Sequence, residues 1–188
     1  MRFHIRLSPR PLLALALTLA SLQPALAGTT RQTTTLPDTI RKVRLAGDGT
    51  ALALSTGSGR ALDVSAEDSF GCQLTASLRQ EGDTLEITVS KGGLRLGFWC
   101  DPDVTVVMPE NMDLDIALQD LAADLGGDFS DVSITSANSV VNFDGSAAHF
   151  SLSGKRAAVK LNFAPDMARD AVKLDVKSLL SQVSFKGA

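Results

Sequence analysis

The sequence predicts an all-β protein. Short segments that alternate apolar and polar residues recur along most of the chain, bounded by Gly, Asp, Ser and Asn. One example is Leu85-x-Ile87-x-Val89, which follows the turn residues Gly82 and Asp83. Alternation at every second residue between turn residues is typical of β-strands. In the second half of the chain, the apolar pairs also repeat at a fixed interval, which indicates how the strands are arranged.

The repeat has a period of 18 in sequence number. One series consists of Leu114-x-Ile116, Val132-x-Ile134 and Phe150-x-Leu152, and the other of Ala123-x-Leu125, Val141-x-Phe143 and Val159-x-Leu161. Gly126-Gly127 and Asp144-Gly145 fall at one phase of the repeat, where the chain is expected to turn. A unit of two short strands that recurs at constant length favours stacked coils. We therefore predict a right-handed β-helix-like solenoid with about 18 residues per coil, and a β-sandwich is the alternative.

Two segments also fit a helical pattern. Leu114, Leu118, Leu121 and Leu125 could form one helical stripe, but they share the repeat with the β-branched stretch 132–135, which favours strand. Residues 165–180 can be read as a helix with Ala168, Val172, Val176 and Leu179 on one face, or as a strand in which Val172, Leu174 and Val176 alternate. The strand is favoured because Val183-x-Phe185 resumes the β pattern.

The segment 1–27 has the features of a secretory signal peptide. Three arginines and no acids accompany a nearly apolar run at 12–20, and Ala25-Leu26-Ala27 provides a cleavage site of the small-x-small type. Cleavage would leave residues 28–188 as a single β-repeat domain, in the periplasm or secreted. We expect no membrane insertion, because no second long apolar run follows.

The charge of the exported chain argues against nucleic-acid binding. Removing residues 1–27 leaves 15 Lys and Arg against 21 Asp and Glu, a net charge of −6. Proteins that bind nucleic acids in general carry the opposite sign.

Two cysteines, Cys72 and Cys100, remain after export. In an oxidising compartment an even number of cysteines indicates a disulfide, and two allow one pairing only. We therefore predict a Cys72–Cys100 disulfide. A metal site is not indicated, because two cysteines and the distant His149 lack the spacing of ligand clusters.

The segment Asp101–Asp131 holds nine acidic residues and no Lys or Arg. Within it, residues 126–131 (Gly-Gly-Asp-Phe-Ser-Asp) are similar to part of the calcium-binding nonapeptide repeat. Phe129 stands where that repeat has a third glycine, and the element occurs once. We therefore interpret the segment as a solvated acidic face and predict no metal or other cofactor.

No arrangement of residues indicates catalysis. Asp113, Asp115 and Asp124 could converge as the carboxylates of a glycosidase, but alternation alone would also place them outside. His149 lies near Ser151 and Ser153, which are interpreted as outward strand serines rather than members of a triad. The basic group Lys155, Arg156 and Lys160 is interpreted as a solvated turn.

The order of the segments resembles a known group of domains. Residues 83–89 (Asp-Thr-Leu-Glu-Ile-Thr-Val) and 104–109 (Val-Thr-Val-Val-Met-Pro) lead into the repeats that start at Leu114-Asp115-Ile116. This order is similar to the bacterial "putative adhesin" and head-GIN domains of β-strand repeats, over roughly residues 35–188. The resemblance implies a β-solenoid in the cell envelope and supplies no catalytic residues.

The sequence thus favours an exported, non-catalytic module, adhesin-like or purely structural. Its expected partner is an envelope component or a carbohydrate. A carbohydrate-active solenoid enzyme is the alternative, because the acidic segment would lie on a stacked face.

Overall fold

The computed structural model describes residues 29–67, 74–92, 103–165 and 167–186. The strands are β1 (Thr29–Thr35), β2 (Lys42–Gly47), β3 (Thr50–Gly57), β4 (Ala61–Glu67), β5 (Leu74–Glu81), β6 (Thr84–Lys91), β7 (Asp103–Pro109), β8 (Asp113–Leu118), β9 (Asp120–Asp128), β10 (Asp131–Ser146), β11 (His149–Phe163) and β12 (Val172–Phe185). A 3₁₀ turn, Arg169–Ala171, precedes β12. The all-β class is confirmed for the described residues.

All twelve strands belong to one sheet, which curves around the core and nearly closes on itself. One part, here called the β8 wall, contains β5, β6, β2 and β8 in that order, followed by the first parts of β10, β11 and β12. The other part, the β9 wall, contains β1, β4, β7, β3 and β9, followed by the later parts of the same three long strands. Each long strand therefore turns a corner and contributes to both walls.

The repeat found in the sequence is confirmed as parallel strand pairing. Val132 pairs with Leu114 and with Phe150, and Val141 pairs with Ala123 and with Val159. Each predicted inward residue thus lies against its equivalent in the next coil. The two predicted columns, Ile116, Ile134 and Leu152 in one and Leu125, Phe143 and Leu161 in the other, are all buried.

Burial changes phase where the chain turns between the walls. Within most strands, buried residues alternate with outward ones, but Leu118 and Leu121 are both buried although they are an odd number of positions apart. Ser136 and Ser139 occupy the same position one coil later. The competing helix at 114–125 does not form, because its leucines serve two strands that face the core from two directions.

Aromatic rings fill one end of the core. Phe143 lies 5.2 Å from Phe150 and 5.1 Å from Phe163 between ring centroids, and Phe163 lies 5.4 Å from Phe185. Such tilted and edge contacts stabilise more than the buried area alone. The aromatic residues therefore continue from coil to coil as a stack inside the sheet.

The last coil departs from the repeat. Val172 pairs with Phe150 and Phe185 with Phe163, so the paired residues are further apart along the chain than in the preceding coils. The additional residues lie between β11 and β12, in the segment that contains the 3₁₀ turn. The strand favoured for 165–180 is confirmed from Val172 onward.

The chain does not run through the sheet in sequence order. The strands β2 and β3 lie inside the sheet, where β2 is flanked by β6 and β8 and β3 by β7 and β9. The sheet ends at β1 and β5, each of which pairs antiparallel with its neighbour, and at β12, which pairs parallel with β11. Since the neighbours of β2 and β3 come much later in the chain, both strands are held in the sheet by long-range pairing.

Candidate binding groove

Four carboxylates of the acidic segment each bond to a polar side chain one repeat later. Asp120 accepts a hydrogen bond from Asn138 at 2.7 Å and Asp124 from Asn142 at 2.9 Å. Asp128 accepts one from Ser146 at 2.6 Å, and Asp131 lies 2.7 Å from Nδ1 of His149. The parallel register places these pairs side by side on the outer surface. These carboxylates of the acidic segment thus take part in a ladder of hydrogen bonds that joins successive repeats on the outer surface.

The following coil brings basic residues to the same ladder. The guanidinium Nε of Arg156 donates to Oδ1 of Asn138 at 2.8 Å. Lys160 lies opposite Asn142, which in turn lies opposite Asp124. At the positions of Asp120 and Asp124, the outer surface of the β9 wall therefore changes from acidic on β9 to neutral on β10 and basic on β11.

The three candidate carboxylates of a glycosidase do not converge. Asp113 and Asp115 lie on β8, and Asp115 forms an ion pair with Arg44 at 3.6 Å. Asp124 lies on β9 in the other wall and is bonded to Asn142. The paired geometry that glycoside hydrolysis requires is not formed by these residues.

His149 is exposed and contacts Asp131, not a serine hydroxyl. The hydroxyl of Ser151 donates to the carbonyl oxygen of Val132 at 3.4 Å, and that of Ser153 lies 3.3 Å from the hydroxyl of Thr135. Both serines therefore bond within the sheet.

Phe129 explains why residues 126–131 depart from the calcium-binding repeat. Its side chain is buried, with its ring centroid 6.0 Å from that of Phe143. The aromatic residue that replaces the glycine thus belongs to the core. In the described ranges, no three His, Cys, Asp or Glu side chains gather as metal ligands would.

A groove of about 920 Å³ runs across the strands on the outside of the β9 wall. Two rows of outward residues line it. The apolar row consists of Ala51, Ala122, Val140, Ala158 and Leu180, which lie opposite one another on β3, β9, β10, β11 and β12. The polar row, two positions further along each strand, consists of Asp124, Asn142, Lys160 and Gln182, with Ala53 at its start. Residues between the rows, such as Val141, point into the core.

Apolar side chains in the groove are open to solvent. Val140 is 60% exposed and Leu180 is 76% exposed. A contiguous exposed apolar strip beside polar groups is typical of a binding surface rather than of ordinary surface.

The two ends of the groove differ in charge. Glu67 and Asp103, which pair across β4 and β7, lie at one end, and Asp124 lies on β9, two strands further along the groove. Lys160 lies towards the other end. The groove can therefore orient a ligand that carries charge or a dipole along its length.

The groove is not evident from the sequence, although part of it carries a signal. Ala122, Val140 and Ala158 are apolar residues at outward positions of the repeat. Ala51 and Leu180 do not belong to that repeat, because their strands join the sheet at other intervals. Of the basic group at 155–160, only Lys160 lines the groove.

Several predictions concern residues outside the described ranges. The signal peptide, 1–27, and both members of the predicted Cys72–Cys100 disulfide lie there. In the described part of the chain, no helix is long and apolar enough to cross a membrane.

Comparison with known proteins gives distant structural likenesses. No family model matches the chain, and no curated protein sequence matches it. A "putative cell adhesion protein" of Clostridium sporogenes has a TM-score of 0.49 at 10% identity, covering 85% of this chain and 100% of its own. A "putative adhesin" of Bacteroides fragilis has a TM-score of 0.30 at 12% identity, covering 84% and 97%. A "putative lipid binding protein" of Parabacteroides distasonis has a TM-score of 0.27 at 9% identity, covering 84% and 96%.

These solved structures are adhesins or a lipid-binding protein by name, and their likeness is too distant to carry an argument about function. Membership of the head-GIN group stays a prediction.

Proposed function

We propose that this protein is an exported, non-catalytic, adhesin-like module that binds a carbohydrate chain of the cell envelope in the groove of the β9 wall. The observation that carries the proposal is the solvent-exposed apolar row, from Ala51 to Leu180, beside a row of hydrogen-bonding side chains. The apolar row offers contact area, and the polar row offers donors and acceptors that fix orientation.

The chemistry of the two rows suits a chain of sugars. Each sugar ring presents carbon-bound hydrogens on its faces and hydroxyl groups around its rim. Val140 and Leu180 would contact the faces, while Asn142 and Gln182 would bond to hydroxyls. Because neighbouring strands lie about 4.8 Å apart, both rows repeat at a spacing that suits a ligand lying across several strands.

We also propose that the chain folds as a right-handed β-helix-like solenoid. Its support is the parallel pairing of β8 with β10 and of β10 with β11 at one constant interval along the chain. In a solenoid, equivalent outward residues form long rows, and such rows create extended binding surfaces.

Binding to immobilised envelope polysaccharides tests the proposal. We expect the purified protein to bind at least one of them, and Val140→Asp to weaken that binding at least tenfold, because the new carboxylate must be desolvated against an apolar ligand face. Thr135→Asp is the matched control, since Thr135 is exposed on the same strand but lies in the β8 wall. The control should bind like the unmodified protein.

Three results would reject the proposal. One is failure to bind any polysaccharide of the envelope, and another is equal loss in the Val140 and Thr135 variants. The third is turnover of a bound polysaccharide, which would establish the carbohydrate-active enzyme instead.

A further inference from the structure

One edge of the sheet is left open at β12. Within the described part of the chain, β12 pairs with β11 alone, so its other edge presents unpaired backbone groups along the whole strand. Such an edge is a template for pairing with another strand. The two other ends of the sheet are different: β1 is a polar strand rich in threonine, and β5 ends in exposed polar residues.

The open edge also exposes side chains that belong to the core. Leu179 and Val183 continue the columns of Ala157 and Leu161, yet they are 37% and 39% exposed. No further coil covers them in the described structure. Solenoid ends that are left in this state need a cap.

We propose that the cap is a second copy of this chain, whose β12 pairs antiparallel with the first β12 about a two-fold axis. When the two antiparallel strands overlap over their whole length, Val172 lies opposite Phe185 of the partner subunit and Leu174 lies opposite Val183 of the partner subunit. These are inward residues on both chains. Inward residues can lie opposite inward residues along the whole strand pair because the inward positions change phase at the corner of β12, between Val176 and Leu179.

The axis passes through this corner. The β8 wall of each copy therefore continues into the β9 wall of the other, and the two cores become continuous. Leu179 lies next to the axis, so its side chain becomes buried in both subunits when the dimer forms.

The distribution of charge along β12 favours the antiparallel arrangement. The charged residues of β12, Lys173, Asp175 and Lys177, all lie in its first half, whereas its second half is neutral. Reversal of one strand therefore places Lys173 opposite Ser184 and Asp175 opposite Gln182 of the partner subunit. Like charges directly opposite each other would destabilise a strand pair, and this arrangement avoids them.

The two-fold symmetry also closes the assembly. An isologous contact uses the same edge on both copies and consumes it, so growth stops at the dimer.

A charge exchange at one cross-strand pair tests this interface. Sedimentation equilibrium of the purified protein, without any ligand, should show a dimer. Ser184→Lys should raise the dissociation constant of the dimer about two- to thirtyfold, because the new lysine lies opposite Lys173 of the partner subunit. The two-fold axis produces this contact between like charges twice in each dimer. The double variant Lys173→Glu with Ser184→Lys should restore the dissociation constant, because opposite charges then face each other.

Two further variants separate the interface from general stability. Leu179→Lys should give a monomer whose circular dichroism is unchanged, as the side chain lies at the rim of the core. Thr135→Asp, which is distant from the edge in the β8 wall, should leave the dimer intact.

The proposal is overturned if the unmodified protein is monomeric throughout the micromolar range. It is equally overturned if a dimer forms but Ser184→Lys does not weaken it, or if the charge exchange fails to restore it. The dimer does not depend on the carbohydrate groove, so failure in one experiment leaves the other proposal standing.

Discussion

The environment of each side chain follows from its place along the coil. Ile134 is 1% exposed, while its neighbours Ser133 and Thr135 on the same strand are exposed. Ile116 and Leu152 lie directly against Ile134 in the adjoining coils. A substitution that points inward therefore meets buried side chains of three repeats, whereas one that points outward stays in contact with water.

Replacing Ile134 with Asp should destabilise the protein by several kcal/mol, because an unpaired carboxylate would enter a dry interior. A domain of this size can lose its fold at that cost. Thr135→Asp should cost about 0.5 kcal/mol or less, since the charge stays in water. Chemical denaturation of both variants compares the two costs. Similar costs would mean that the faces of β10 are assigned backwards.

Close contact between coils makes another residue sensitive. A Cβ atom on Gly154 would lie 2.0 Å from the carbonyl oxygen of Ser136 in the preceding coil, where no flexible side chain can give way. Gly154→Ala should therefore destabilise the protein by about 1–3 kcal/mol.

Gly57→Ala is the control for this glycine, because its Cβ would meet Val107 at 3.5 Å, an ordinary contact. Thermal melts of the two alanine variants provide the measurement. A variant at Gly154 as stable as the one at Gly57 would contradict the close stacking at this corner.

At the scale of elements, the pairing of the repeated strands was predictable from the sequence, and the pairing of the early strands was not. The strands from β8 to β11 follow one interval, so their partners could be found by subtraction along the sequence. Alternation in β2 and β3 predicts strands but contains no information about partners. Val43 pairs with Leu85 and Leu114, and neither separation along the chain is a multiple of the repeat interval.

The binding groove was only partly predictable for the same reason. Its central residues, such as Val140, recur once in every repeat, but they look like ordinary surface residues until the strands that extend the row are known. Ala51 enters through β3, whose place in the sheet depends on long-range pairing.

The edge strand β1 is held by an ion pair that should respond to pH. Arg31 donates to both carboxylate oxygens of Asp63 on β4, with Nε–O distances of 3.0 and 3.1 Å. This hydrogen bond holds the pKa of Asp63 below its ordinary value. Since the folded-state pKa is the lower one, the carboxylate stabilises β1 at neutral pH, and this contribution is lost as the pH falls through that pKa.

We therefore expect the protection factors of the β1 amides, which are corrected for the intrinsic pH dependence of exchange, to fall in acid, while those of β10 remain high. Hydrogen exchange at several pH values measures both. In Asp63→Asn, the protection factors of β1 should be lower already at neutral pH and should no longer fall in acid. A β1 that is equally protected in Asp63→Asn would show that the backbone ladder alone holds it.

At the scale of the whole molecule, the proposed function requires export. Residues 1–27 carry the pattern of a signal peptide, and the proposed mature chain begins at Gly28. Mass spectrometry of the protein recovered from the periplasm or the medium should give the mass of residues 28–188. Recovery of a chain that retains residues 1–27 would reject the cleavage site, and exclusive recovery from the cytoplasm would reject export.

The position of β2 and β3 inside the sheet has a consequence for the order of folding. Each pairing between β8, β10 and β11 closes a loop of a single repeat, whereas Val43 of β2 reaches Leu114 of β8 across a loop several times longer. Closing a longer loop costs more chain entropy, and contacts distant in sequence slow folding. The repeated half is therefore expected to fold first and to act as a template, and β2 and β3, which precede it in the chain, would be among the last strands to pair. Until then, the apolar residues of β2 and β3 lack a cover and are open to aggregation.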